Sequence, residues 1–101
     1  MSLWPKPLAG SGYVLIIMYF VYFALSLKNK KVYVGRTSKK PSLRVTEHNK
    51  GGSAWTKNNR PFKLIYFEEY ICKRDAVKRE IFYKTGIGKK IKKLIVKIMD
   101  R

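Results

Sequence analysis

The segment YVLIIMYFVYFALSLKNKKVYVG, residues 13–35, decides the fold. Tyr13 to Leu27 is an almost unbroken apolar run, Lys28-Asn29-Lys30-Lys31 interrupts it, and Val32-Tyr33-Val34-Gly35 resumes it. A membrane-spanning helix needs about 20 apolar residues in a row, and this run is shorter. A signal sequence is a second reading, with Lys6 as a thin positive region and Ala24-Leu25-Ser26 as a small-x-small cleavage site. The third reading is a strand covered on both faces, which carries β-branched and aromatic residues without alternation. Aromatic residues crowd between Tyr13 and Phe23, and that favours the strand. The two apolar segments then predict a β-hairpin around the polar Lys28–Lys31 turn. Opposed residues of an antiparallel pair share a face, so an even-numbered loop points Tyr22 and Tyr33 to the same side.

Outward from the hairpin, Met1 to Gly12 reads as a Pro/Gly/Ser-containing leader without periodicity, and Met18 is a plausible start of the domain. Residues 1–17 are therefore expected to be a leader or extension and residues 18–101 a single domain, the size a chain of 101 residues supports. Downstream, Pro41 and Ser42 offer a helix start and Gly51-Gly52 a stop. Arg44 and His48, four apart, fall on one face of that helix. Gly51 to Pro61 reads as a loop, Phe62 to Phe67 as a third strand, and Asp75 to Lys84 as a helix ended by Gly86. Lys89 to Met99 is a last helix, with Ile91, Leu94, Ile95 and Ile98 at helical spacing and lysines elsewhere. The expected fold is α+β, a small three-stranded antiparallel sheet flanked by helices on both faces.

The chain carries 23 Lys+Arg against 6 Asp+Glu, a formal net charge of +17. Such a domain repels itself, and a polyanion relieves the repulsion. Nucleic acid answers that charge through counterion release. An anionic membrane and ribosomal-type RNA packing answer it too. Cys72 is the single cysteine, so an internal disulfide and a Cys-based zinc site are both excluded. A reducing, cytoplasmic setting is expected, with Cys72 a small filler side chain. Walker-type phosphate loops and a GxSxG elbow are missing as well.

Phe20-Val21-Tyr22, followed after ten residues by Tyr33-Val34-Gly35, resembles the signature that names the GIY-YIG nucleases. Leu43-Arg44-Val45-Thr46-Glu47-His48-Asn49 is similar to that family's helix, with an arginine and a His or Tyr four residues on. Asn58 to Tyr66 resembles the loop and strand of its small stand-alone members. Asp75 to Glu80, followed by Lys84 to Gly88, resembles their metal-binding helix and its exit. Each element alone is weak, whereas their order and spacing from about Tyr19 to Leu94 are specific. Phe20 stands where the name motif has its first Gly. The stretch Ile91-Lys92-Lys93-Leu94 lacks the Asn that many members place after the metal ligand.

The resemblance implies a metal-dependent endonuclease of the type found in the excision-repair incision nuclease. Phosphodiester hydrolysis needs an activated water, charge neutralisation at phosphate, and help for the leaving oxygen. Glu80 would be the single carboxylate for Mg²⁺ (or Mn²⁺), water and phosphate supplying the other ligands. Arg44 would grip the scissile phosphate with its planar fork. Tyr22 and Tyr33 would line the pocket, one of them orienting or deprotonating the water. A free phenol is a poor base at neutral pH, so a cationic pocket, with Arg36 as a source of charge, is expected to favour the phenolate. His48 would share the proton transfer. Gly35 would let the backbone pass close to substrate. Lys39, Lys40, Trp55, Lys57 and Arg60 complete the set expected to face nucleic acid, DNA ahead of RNA. No small-molecule cofactor or membrane role is expected, and specificity would come from nucleic-acid shape or a protein partner.

Each residue also has a plain structural reading. Tyr22 and Tyr33 are good strand residues. Glu80 at i−4 from Lys84, Arg44 at i−3 from Glu47, and Asp75 at i−4 from Arg79 are ordinary helix ion pairs. Trp55 reads equally as core or as a base-stacking platform. The competing function is a basic nucleic-acid-binding module of the same fold with little or no turnover. A protein anchored through Tyr13 to Leu27 is the third.

Overall fold

A computed structural model describes residues 17–99. The elements run β1 (Tyr19–Ser26), β2 (Val32–Thr37), α1 (Pro41–Asn49), α2 (Ala54–Asn59), β3 (Phe62–Tyr70), α3 (Lys73–Lys84) and α4 (Gly86–Met99). The strands form one antiparallel sheet in the order β2-β1-β3. The apolar run is thus the central strand. Its residues from Phe20 to Ser26 are all buried, because both edges are paired and both faces covered. That overturns an anchoring helix over Tyr19–Ser26, and it places Ala24-Leu25-Ser26 inside a buried strand. Among the described residues no helix is long and apolar enough to cross a membrane. The leader assigned to residues 1–17 lies outside the described residues, apart from the exposed Ile17.

The hairpin closes through Ser26 N–H donating to Lys31 C=O and Lys30 N–H donating to Ser26 C=O, both at 2.8 Å. Lys30 takes the left-handed conformation with φ 64°, which fits its place in a tight loop. The loop has even parity, so Tyr22 stands opposite Gly35 and Ala24 opposite Tyr33. Both tyrosines therefore share one face.

That face carries α1: Tyr22, Ala24, Val45 and Phe62 pack together, with Tyr33 and Leu64 at the margin. The other face carries α3 and α4, where Val21, Phe23, Val34, Ala76 and Tyr83 form the second core and Ile91, Ile95 and Val96 close it. Full burial of one side chain such as Phe23 is worth roughly 1.5–3 kcal/mol. The pairing of β1 with β3 slips by one residue between Phe23 and Ala24. This turns both Ile65 and Tyr66 toward the α3 side. β3 runs to Tyr70, past the expected Phe67, because Tyr19, Phe20 and Val21 pair with Tyr70, Glu69 and Glu68.

The expected loop from Gly51 to Pro61 contains α2. Its six residues are held by a capping box in which Ser53 and Thr56 exchange hydrogen bonds with each other's backbone N–H. Two further boundaries move: α3 begins at Lys73 rather than Asp75, and α4 at Gly86 rather than Lys89. The α3–α4 corner depends on Gly88, because a Cβ there would stand 1.7 Å from the Phe82 carbonyl oxygen. Cys72, expected as a packed filler, is exposed at the N-terminal cap of α3.

Candidate active site

Tyr22 is 1% exposed, and its ring lies over Gly35, its partner on β2. A Cβ at Gly35 would come within 2.4 Å of the Tyr22 Cζ and hydroxyl. The name-motif glycine therefore makes room for the first tyrosine, and Gly35 is buried under that ring rather than offered to substrate as expected. The Tyr22 hydroxyl lies 2.7 Å from His48 Nε2, joining β1 to α1 through a buried hydrogen bond. His48 is 2% exposed and also packs edge-on to Tyr33, ring centroids 5.4 Å apart. Its Nδ1 is buried without a hydrogen-bond partner among the described residues.

Burial dominates the electrostatics of this pair. It raises the Tyr22 phenol well above its ordinary range; Tyr33 pushes the same way, the Arg44 charge opposes, and Glu80 adds a further upward push. Burial lowers the His48 pKa; the Arg44 charge assists and Glu47 opposes. Both groups are thus held neutral at pH 7. The expected phenolate is not what the pocket favours at Tyr22: removing the phenol from water outweighs the nearby cation. A neutral phenol hydrogen-bonded to a neutral imidazole is the state this environment selects, the imidazole tautomer setting which of the two donates.

Arg36 does not join this group. The register sets it opposite Val21, on the face that carries α3, and its Nε lies 3.5 Å from Glu80 Oε1. Glu80 also meets Lys84 Nζ at 3.3 Å. The site therefore has two parts on opposite faces of β2. Tyr22, Tyr33, Arg44 and His48 form one, Arg36, Glu80 and Lys84 the other, and the charge of Glu80 is still felt at Tyr22. Among the described residues no three His, Cys, Asp or Glu side chains stand together. The donor set at Glu80 is one hard carboxylate loosely held by two cations. That fits Mg²⁺, which keeps most of its water, and does not fit a caged zinc.

Arg44 Nη1 lies 2.9 Å from Glu47 Oε2, and Lys39 Nζ binds the same carboxylate at 2.8 Å. The hydrogen bond from Lys39, with that from Arg44, holds Glu47 below the usual carboxylate range. Lys40 is the exposed residue preceding α1. Trp55 is packed on one side and open on the other. Its ring stacks between Tyr33 (4.9 Å) and Phe62 (5.4 Å), yet 41% of the residue is exposed. Lys57 is exposed on α2, and Arg60 Nη1 donates to the Asn49 carbonyl at 3.3 Å.

Some positioning residues escape sequence reasoning. Asn49 accepts from Phe62 N–H at 2.6 Å and donates to Phe62 C=O at 3.0 Å, which pins the end of α1 to the start of β3. An asparagine before Gly-Gly reads only as a helix end. Lys84 next to Glu80 was visible as an i+4 pair, but its place beside Tyr33 and Trp55 depends on the tertiary fold.

Residues 18–93 match the GIY-YIG catalytic domain, and the chain belongs to this family of the nuclease superfamily. The UPF0213 proteins of Staphylococcus aureus strains Mu3, Mu50 and N315 are each 38% identical to it over 78 residues. That overlap covers 76% of this chain and 93% of each of theirs. No solved structure matches the chain.

Proposed function

We propose that this protein is an endonuclease that hydrolyses phosphodiester bonds in DNA, with Glu80 binding one Mg²⁺ or Mn²⁺ ion. The buried Tyr22–His48 hydrogen bond beside Arg44 carries this reading. A neutral phenol bonded to a neutral imidazole accepts a proton from water only by passing its own proton on. Tyr22 takes the water's proton as its O–H proton moves to His48 Nε2, so no free phenolate is needed. Arg44 lies close enough for its charge to be felt at Tyr22, and it binds the phosphate oxygens. Tyr33, stacked on Trp55 and in contact with His48, shapes the wall of the pocket. The divalent ion, when bound, supplies positive charge at the phosphate. An ion held by Glu80 would take that carboxylate from Arg36 and Lys84 and leave both to face nucleic acid. A cytoplasmic setting accords with the exposed thiol of Cys72.

A second reading is a binding module with little or no turnover, favoured by the Arg36 and Lys84 ion pairs that already satisfy Glu80. Cleavage of labelled single-stranded, duplex and branched DNA and of RNA, with Mg²⁺ or chelator, separates the two. The nuclease reading expects metal-dependent cutting that disappears in Glu80→Ala while binding is kept or tightened. Binding without cutting on every substrate by a folded protein would establish the silent module.

A further inference from the structure

Among the described residues β2 is an edge strand, with no fourth strand on its outer side. Along that side lies a cavity of about 410 Å³ with Tyr33 and Trp55 on one wall and Lys84, Lys89, Lys92 and Lys93 on the other. A second cavity of about 390 Å³ continues it past Val32 toward Lys30 and Lys97. Among the described residues no carboxylate lines either one. Lys92 reaches the edge itself, donating to the Val32 carbonyl at 3.3 Å. Burial and the charges of Lys89, Lys93 and Lys84 hold Lys92 below the ordinary lysine range, so these ammonium groups crowd one another, and of the four only Lys84 has a carboxylate partner among the described residues, Glu80. Lysines on an open edge also discourage pairing with another chain. That purpose explains neither the aromatic wall nor the start of the groove at Lys84, beside the candidate metal carboxylate.

We propose that this groove along β2 takes an unpaired strand of the nucleic acid substrate, a base stacking at Trp55 and Tyr33 and the phosphates lying on the lysines of α3 and α4. The inference rests on the nucleic-acid reading of the site and specifies its substrate as a strand that is single, or that branches from a duplex, next to the bond cut. A base can stack on a protein ring only when out of its own duplex, and stacking with a cationic track is how unpaired strands are held. A groove of a few hundred Å³ admits one chain and excludes a double helix.

The test is binding, measured by fluorescence anisotropy on the full chain in chelator. One probe is a DNA duplex with a single-stranded overhang carrying 2-aminopurine, the other a blunt duplex. The overhang probe is expected to bind about 10-fold tighter, and its 2-aminopurine to be quenched on binding. Lys89→Glu/Lys93→Glu, both exposed, should weaken the overhang complex about 10-fold and the blunt one about 3-fold or less. The control pair Lys73→Glu/Lys78→Glu, of equal net charge, should weaken both probes alike. Trp55→Leu should abolish the quenching; if that variant does not fold, the lysine pairs decide alone. Equal losses on both probes with Lys89→Glu/Lys93→Glu, or no quenching in the wild type, overturn the groove. Adding Mg²⁺ separates the two failures. Overhang preference without cleavage would sink the nuclease reading alone, and cleavage without overhang preference the groove alone.

Discussion

Tyr22 and Gly35 are a matched pair, and most of the site's chemistry follows from how they fit. Because glycine leaves the space above β2 empty, the Tyr22 ring lies flat enough to bring its hydroxyl to His48 Nε2. Gly35→Ala would force a methyl group within 2.4 Å of that ring. The expected cost is about 1–3 kcal/mol of stability, the range for overpacking a core. Cleavage should fall further than stability explains, because the hydroxyl moves; unchanged single-turnover rates in Gly35→Ala would show that the Tyr22 position is not critical. The same pair governs pH dependence. His48 must be neutral to accept the Tyr22 proton, and its pKa lies below the ordinary 6.5. Single-turnover cleavage should therefore stay level above about pH 6.5 and decline only in more acid solution. A rate that instead climbs steadily between about pH 7 and 9 would point to a free phenolate as the base.

Among the elements, what could be read in advance was whatever local pattern decides. The uninterrupted apolar run of β1 announced a doubly covered strand, and the even hairpin loop put Tyr22 and Tyr33 on one face. Arg44 and His48 at i, i+4 came out together for the same reason. Arg36 follows Gly35 directly, and strand alternation sends it to the α3 side, where Glu80 meets it, away from the tyrosine pocket expected for it. α2 leaves no local signal, because six residues give no usable period and its cap uses Thr56 where Glu or Gln is the usual residue. Nothing local foretold the clasp on the α3 side, where the Glu68 carboxylate accepts from Tyr66, Tyr70, Tyr83 and Arg79. Burial opposes charge on Glu68, but the hydrogen bonds of Arg79 and the three tyrosines outweigh it and hold its pKa below the ordinary value. A depressed carboxylate pKa stabilises the fold above about pH 4.3, and that contribution is lost as pH falls through the lower folded value. Glu68→Gln is expected to cost roughly 2 kcal/mol at pH 7, about 8–16 °C in Tm, with the gap from wild type narrowing near pH 3. On the alkaline side Tyr70 is pushed up to about 12, mainly by burial and then by Glu68. A raised phenol favours the folded state below its free value of about 10, and this support fades as pH rises toward 12. Thermal scans of wild type and Glu68→Gln across that range would check both limbs.

At the scale of the molecule the formal +17 is unevenly spent. Glu47 is paired with Lys39 and Arg44, Glu68 with Arg79, and Glu80 with Arg36 and Lys84. Among the described residues no salt bridge engages a lysine of α4, and Lys89, Lys92, Lys93 and Lys97 of that helix line the open side of β2. A charge so placed should be visible in the salt dependence of binding. Each phosphate neutralised on a single strand contributes about −0.7 to the slope of log K against log salt concentration. Lys84, Lys89, Lys92 and Lys93 together would then account for about 3 units of slope on a substrate with an unpaired strand. Removing two of them in Lys89→Glu/Lys93→Glu should flatten the slope by at least about 1.4 on the overhang probe. A blunt duplex, unable to enter the groove, should keep nearly its original slope. A slope that flattens equally on both probes would mean that these lysines act as a diffuse field over the whole surface. A difference confined to the overhang would mean that a strand lies on them.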